Sequence, residues 1–297
     1  MRITACLIVI VALFVVPQAW GDSVLVGSLA DAANYVVLYT GTGGHNLQIT
    51  NVTVGGNIGV GGTGKVHFNG PGTISGEVDF SAANTGQFSN NNGSNIGPTA
   101  VNYNQSNVST DLTNLAAFSA QLGSATATNL ILNNTNQTID ITTGTLNANG
   151  SYIFQVTSYL KGDGDMLTIN GDGVHSVVFD FAAGKTLRGD VTLGGGLTPD
   201  MVVWNFGGTA NAGLNSNASS YGNVAFQGII LGPQNGISIT NSNLIGRVFG
   251  GNSKDMQIVS GTTITAPPPS QVPEPRSLVL LGSMLIASMV RRMRASR

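Results

Sequence analysis

The sequence predicts a mainly-β domain over residues 22–265, an irregular parallel β-solenoid with one flanking α-helix. Three observations carry that expectation. Short stretches alternate with a period of two: Tyr152, Phe154 and Val156 against Ile153, Gln155 and Thr157, then Val177, Phe179 and Phe181 against Val178 and Asp180. Such alternation, bounded by Gly and Asn clusters, is the pattern of short strands with one face on a core. An apolar-x-Gly-x-apolar unit recurs at Val54–Ile58, Ile74–Val78, Leu187–Val191, Phe226–Ile230 and Leu244–Val248. Its glycines lie 20 (56 to 76), 39 (189 to 228) and 18 (228 to 246) residues apart. These are one, two and one turns of a unit near twenty residues, and a fixed period in that range marks a solenoid. Charged residues, finally, are 9% of the chain, against ~25% in ordinary soluble domains, so surface ion pairs cannot organise this fold. A glycine-rich barrel or sandwich would also space its strands evenly; glycine inside the motif, rather than only between strands, favours the solenoid.

Taken in order, residues 1–21 read as a secretory signal. Arg2 supplies the positive start, Cys6 to Val16 the apolar run, and Ala19-Trp20-Gly21 the small-x-small cleavage site; a first membrane helix is the alternative, and the run is short for one. Cys6 is the only cysteine, so the exported body has no thiol for a disulfide, a nucleophile or a metal. Within the body, Asn90 to Asn107 is a polar, Asn-rich connection expected to be mobile. Ser109-Thr110-Asp111, followed by Leu112, Leu115, Ala116, Ser119 and Leu122 and then Gly123, reads as an N-cap, a helical stripe and a terminal glycine. A helix over 109–122 is about 21 Å long, close to four rungs at ~4.8 Å each, so it should lie along the solenoid flank. Thr262-Thr263-Ile264-Thr265 is a last strand, and residues 266–276 form a Pro-rich linker, its Ala266-Pro267-Pro268-Pro269-Ser270 start a stiff spacer.

The last segment, 277–297, is a separate hydrophobic helix with a basic tail. The apolar run Ser277 to Val290 spans about 21 Å as a helix, short of the ~30 Å hydrocarbon core unless the bilayer thins or arginines reach outward. Arg291, Arg292 and Arg294 behind it act as a membrane stop and favour a cytoplasmic end. A buried core helix is the alternative, and the charge block argues against it.

Val272-Pro273-Glu274-Pro275, the apolar run and the arginine cluster together resemble the PEP-CTERM sorting tail of Gram-negative envelope proteins. That resemblance implies an exosortase-type sorting transpeptidase as a partner, cutting near the Pro-Glu-Pro motif after transient anchoring in the inner membrane. Ala33-Asn34-Tyr35-Val36-Val37-Leu38 and Gly56-Asn57-Ile58-Gly59-Val60 open the body. Trp204-Asn205-Phe206, Phe226 to Pro233 and Leu244 to Gly251 close it. These segments resemble the choice-of-anchor A domain of surface proteins, and the opening also resembles the ice-binding-like β-solenoids, in which a helix runs beside the coil. The resemblance implies an exported cell-surface or extracellular-matrix protein of an exopolysaccharide-producing bacterium, with no family catalytic site.

Candidate chemistry is sparse. Between 22 and 270 the only basic residues are Lys65, Lys161, Lys185, Arg188, Arg247 and Lys254, outnumbered about two to one by acids, so nothing is left to bind nucleic acid electrostatically. Gly162-Asp163-Gly164-Asp165 with Asp172 suggests calcium, but Leu167 occupies the third ligand place and no glutamate closes the loop. A turn between strands ending at Leu160 and starting at Met166 accounts for these residues, and no metal or cofactor is expected. Asp180 alternates against Phe179 and Phe181 and should face solvent. The positions after the motif glycines hold Asn57, Glu77, Asp190, Ile229 and Arg247, which favours no acid–base pair. His45, His67 and His175 lack metal spacing. Ice binding needs a flat, regular Thr- or Ala-rich face, and Thr50, Thr53, Thr142, Thr143 and Thr192 are not expected to share a register. The expectation is a non-enzymatic structural or adhesive surface protein. A glycan- or ice-binding module is the alternative, extracellular polysaccharide the candidate partner, and a polysaccharide-degrading solenoid the remaining possibility.

Overall fold

The computed structural model describes residues 29–82, 87–133, 135–216, 225–251 and 254–268. The cleavage residues Ala19 and Gly21, the motif Val272–Pro275, the hydrophobic helix and Arg291, Arg292 and Arg294 lie outside them.

The chain winds as a parallel coil. β1 (Tyr35–Tyr39), β2 (Asn46–Thr50) and β3 (Thr53–Gly55) make one turn; β4 (Asn57–Val60), β5 (Lys65–Asn69) and β6 (Thr73–Ile74) make the next. β7 (Val78–Phe80), β8 (Phe88–Asn90) and β9 (Val101–Asn102) end that half. Helix α1 (Ser106–Gly123) follows. The second half holds β10 (Thr128–Leu132), β11 (Gln137–Asp140), β12 (Thr145–Leu146), β13 (Ser151–Tyr159), β14 (Met166–Asn170), β15 (Ser176–Phe181), β16 (Thr186–Leu187) and β17 (Asp190–Gly194). It closes with β18 (Val202–Phe206), β19 (Ala212–Leu214), β20 (Phe226–Gly232), β21 (Ile237–Thr240), β22 (Asn243–Gly250), β23 (Met256–Val259) and β24 (Thr263–Thr265).

A complete turn visits three faces. The first is the ladder β10-β13-β15-β18-β20-β22-β1-β4-β7-β9, the second β16-β19-β21-β23-β2-β5-β8; the third carries β11-β14-β17 and, farther along, β24-β3-β6. All named ladders are parallel except β12 on β13. The turns do not stack wholly in chain order. The chain starts in the middle of the stack and builds to the β9 end. It then returns along α1 to the β10 end and winds back until β22 meets β1, with Val37 opposite Val248.

Inward residues form one core along the axis. In it Phe154, Phe179 and Trp204 stack with centroids 5.7 and 4.6 Å apart, as their aligned positions in β13, β15 and β18 require, and Phe226 packs tilted on Trp204 at 5.0 Å. The glycine motif has a plain cause: the residues two before and two after the glycine both point into this core, so the chain bends between them. Gly228 aligns with Gly246, and a side chain on Gly246 would run into the Gly228 carbonyl. Gly56 and Gly76 are likewise neighbours. Gly189 is the exception. It turns the chain between β16 and β17 at another corner, so the 39-residue spacing is not two turns of the same file.

The segments that carried the family resemblance, β1, β4, β18, β20 and β22, are five adjacent strands at the centre of the first face. Helix α1 covers this region. Val108, Leu115, Phe118 and Leu122 meet Ile153, Val178, Val203, Ile229, Leu231, Phe249 and Leu38 in a second core. The helix starts at Ser106, three residues before the expected cap, and runs through Gly123. Residues 90–107 also differ from the mobile link expected: β9 pairs with β7, Asn91 and Asn95 bond to Asn69 and Phe68, and Asn102 donates to Glu77 and Asp79. Neutral amides close that end of the coil. Ala266 packs on the core and Pro267 is buried, so the body runs past 265 into the first linker residues.

Candidate binding face

Of the three faces, the first is closed where α1 lies on it. β15 is buried on both sides: Phe179 and Phe181 point inward, while Val178 and Asp180 meet the helix. Asp180 is therefore 3% exposed, which corrects its expected solvent position; the alternation was right and the outer side is covered. Its carboxylate accepts from Asn205 Nδ2 at 2.6 Å, Asn205 in turn accepts from Ser119 Oγ on the helix at 2.6 Å, and Gln155 donates to the Asp180 carbonyl. Burial pushes the Asp180 carboxyl up against the opposing Asn205 bond. At the other helix end Asn107 donates to the Tyr35 hydroxyl, which donates to Asp79; burial and then Asp79 raise that phenol. These polar links fasten the helix to the sheet.

The second face has no helix on it among the described residues. Its seven strands alternate core residues (Leu47, Ile49, Val66, Phe68, Ile237, Ile239, Met256, Ile258) with outward polar ones. Because the ladder is in register, the outward residues form files along the axis. One runs Thr186, Gly213, Ser238, Gln257, Gln48, His67, Ser89; a second runs Thr240, Val259, Thr50, Asn69 and continues to Asn91 through its 2.7 Å bond to Asn69. Seven strands at ~4.8 Å give a surface about 29 Å long, neutral over most of its length. Sequence reading missed these files; the alternation in 46–50, 65–69, 237–240 and 256–259 announced the strands, and nothing local announced which would be neighbours.

The five threonines do not share a register with one another, as expected, but the third face holds two files of other threonines that two of them join. Thr138, Thr168 and Thr192 align, and so do Thr73, Thr53 and Thr263. Thr53 and Thr192 thus stand in register with threonines of other turns. Thr50 aligns with Asn69 and Val259, and Thr142 and Thr143 sit in the short turn Ile141–Thr143, bonded to Asp140; the bonds from Thr142 hold the Asp140 carboxyl below the ordinary range.

The acids considered for chemistry are dispersed. Asp165 accepts from Gly162 N–H at 2.7 Å and Asp163 lies 3.6 Å from Arg188, in a turn between β13 and β14 as expected. Asp172 serves a separate turn, accepting from Val174 and His175 N–H and the His175 ring. Burial pushes its carboxyl up, but those donors win and hold it low. Asp190 is buried and pushed up by that burial. Asn57 accepts from Glu77 N–H, while Arg247 bonds Asp200 at 3.0 Å and the Tyr35 carbonyl at 2.8 Å, pinning β22 to β1. The histidines are apart: His45 by Asp255, His67 on the second face, His175 by Asp172. Among the described residues no group of three or more His, Cys, Asp or Glu side chains could hold a metal ion.

Residues 21–259 match the family model described as "Putative Ice-binding-like adhesive domain". Solved structures share the fold at low identity. An ice-binding protein of the Antarctic ascomycete Antarctomyces psychrotrophicus aligns with TM-score 0.53 and 13% identity, over 80% of this chain and 96% of that one. A glycosylated ice-binding protein from an Arctic yeast aligns with TM-score 0.53 and 18% identity, over 83% and 96%. An ice-binding protein domain of Shewanella frigidimarina aligns with TM-score 0.52 and 13% identity, over 81% and 97%. No curated protein matches the sequence.

Proposed function

This chain belongs to the ice-binding-like adhesive domain family, and from that premise we propose an exported, non-enzymatic adhesive protein whose seven-strand face holds it to extracellular polysaccharide. The observation that carries this reading is that face: open, axially repeating, and lined by neutral donors and acceptors in register. A surface of this kind meets an extended, hydroxyl-rich ligand at many weak points, and needs neither a deep pocket nor a charge cluster. Among the described residues the acids are dispersed over turns, the helix contact, the β22–β1 seam and the second face, and the proposal gives none of them a catalytic role. The test is retention of the protein on purified matrix polysaccharide. Saturable binding that persists at 0.5–1 M salt (about 3–5 Å screening length) is expected; absence of retention removes the glycan reading.

A second reading, ice adhesion, has its own support in the two threonine files of the third face and in the structural neighbours named above. Ice-recrystallisation inhibition by the purified body is the measurement that separates it. The proposal also includes delivery. The PEP-CTERM and choice-of-anchor A resemblances supply a route: export through the N-terminal signal, transient holding by the tail, and cleavage near Val272–Pro275. Mass spectrometry of protein recovered from the cell surface should find neither Met1–Gly21 nor Arg291, Arg292 and Arg294; surface protein that keeps the arginines would end that part.

A further inference from the structure

The seven-strand face is not uniformly flat. A depression of about 200 Å³ opens beside β21 and β23, lined by Asn211, Gly236, Ser238, Lys254, Asp255 and Gln257. That is below the ~300–1,000 Å³ of sites that enclose a whole drug-sized ligand. We propose that this depression is a subsite for one sugar residue of an uncharged polysaccharide, the polymer continuing along the file Gln257, Gln48, His67, Ser89. The inference rests on the adhesive reading above and says which ligand the face takes and where it is gripped.

The chemistry follows from the lining. Asp255 is 41% exposed in its side chain and accepts from Asn46 N–H at 2.8 Å, so it is fixed at the rim and offers further acceptor capacity. A fixed carboxylate repels anions and accepts from hydroxyls. Lys254 donates to the Thr209 carbonyl at 2.8 Å and to Asn211 Oδ1 at 3.2 Å. Its charge is thereby spread over protein acceptors, and one of its three donors remains. Gln257 is exposed and both donates and accepts; Ser238 shares its hydroxyl with Thr240 at 3.3 Å. Mixed donors and acceptors with a charged rim match sugar hydroxyls, which are themselves both. The Lys254 methylenes supply apolar surface for sugar C–H groups. An ice lattice is met poorly here, because the hollow and the charged Lys254 and Asp255 beside it interrupt the plane.

The test uses native gel electrophoresis of the body through gels containing dextran, galactomannan or starch as neutral probes and alginate or polygalacturonate as acidic ones. Wild type is expected to be retarded by at least one neutral probe and not by the acidic ones. Gly236→Leu brings a side chain into the hollow: a Cβ there would sit 2.8 Å from Asn211 Oδ1 and 3.1 and 3.3 Å from Lys254 Cδ and Cβ, so those two side chains must shift. It should weaken the neutral retardation at least tenfold, and Asp255→Asn or Gln257→Ala, both at exposed or half-exposed positions, several-fold with an unchanged melting midpoint. Gly236→Leu that folds and binds like wild type overturns the subsite and leaves adhesion standing, as does full binding by both other variants. Retardation by acidic probes alone overturns the uncharged ligand; retardation by none overturns the subsite and the glycan reading together.

Discussion

Asp180 shows what a single position can and cannot announce. Period two placed it opposite Phe179 and Phe181, correctly; whether anything covered that outer side depended on a helix packed from sixty residues earlier in the chain. Because burial raises its carboxyl, the folded state binds the proton more tightly than the unfolded chain. Stability contributed by that site is then present at low pH and lost as pH rises from the ordinary carboxylate value of 3.8 to the raised one. Asp180→Asn can still accept from Asn205 and cannot ionise. Its melting midpoint should gain on wild type as pH climbs from 4 to 8. A difference between the two proteins that stays constant with pH would mean that Asp180 does not titrate in this window. The Thr53 and Thr192 files make the same point from the other side: each residue's exposure was legible, and the identity of its axial neighbour was not.

Among the elements, α1 was the one whose existence the sequence announced and whose bounds it blurred. Ser109-Thr110-Asp111 has the composition of a cap, yet Val108 and Asp111 are both buried against the body, so the helix must begin earlier to present them. Its N-cap, Gln105, makes no side-chain capping bond; packing, not capping, sets the start. Eighteen residues give about 27 Å, or between five and six rungs at ~4.8 Å. The six strands β13, β15, β18, β20, β22 and β1 that contribute to the second core fit that length, where four rungs were expected. Leu115 and Phe118 are 2% and 6% exposed, and Phe118→Ala should cost about 3–5 kcal/mol, read as a lower denaturant midpoint at unchanged slope. A loss below about 1 kcal/mol would show that the helix merely rests on the sheet. The glycine motif marks a bend between two inward residues, and its recurrence was legible. It was over-read at Gly189, because the same local geometry serves every corner of the coil.

At the scale of the whole molecule, the class of fold was legible and the order of its turns was not. Each turn carries the same instructions: apolar in, polar out, glycine at the bend. Those instructions fix a rung without fixing its neighbours. Order comes from α1, which carries the chain to the far end, and from the seam where the last turn meets the first. At that seam β23 lies between β21 and β2, β24 between β22 and β3, and Arg247 bridges Asp200 to the Tyr35 carbonyl. Residues 254–268 therefore join two half-stacks that among the described residues also meet through the β22–β1 ladder, the Arg247 bridge, the shared axial core and the helix. A chain of residues 22–268 should melt in one cooperative step close to that of the longer protein. A chain ending at 251 loses the middle rung of two faces and bares Leu47, Ile49, Val54 and Ile239 along the cut, all of them fully buried now. Removing that much paired edge and core should abolish the single transition, leaving either no folded protein or two steps of lower midpoint, one per half-stack. Circular dichroism at the β minimum and intrinsic fluorescence of Trp204, which sits only in the second half, would separate the two steps. If the chain ending at 251 kept one transition at the original midpoint by both probes, the helix and the β22–β1 ladder alone would hold the halves together, and the seam would not be what orders the stack.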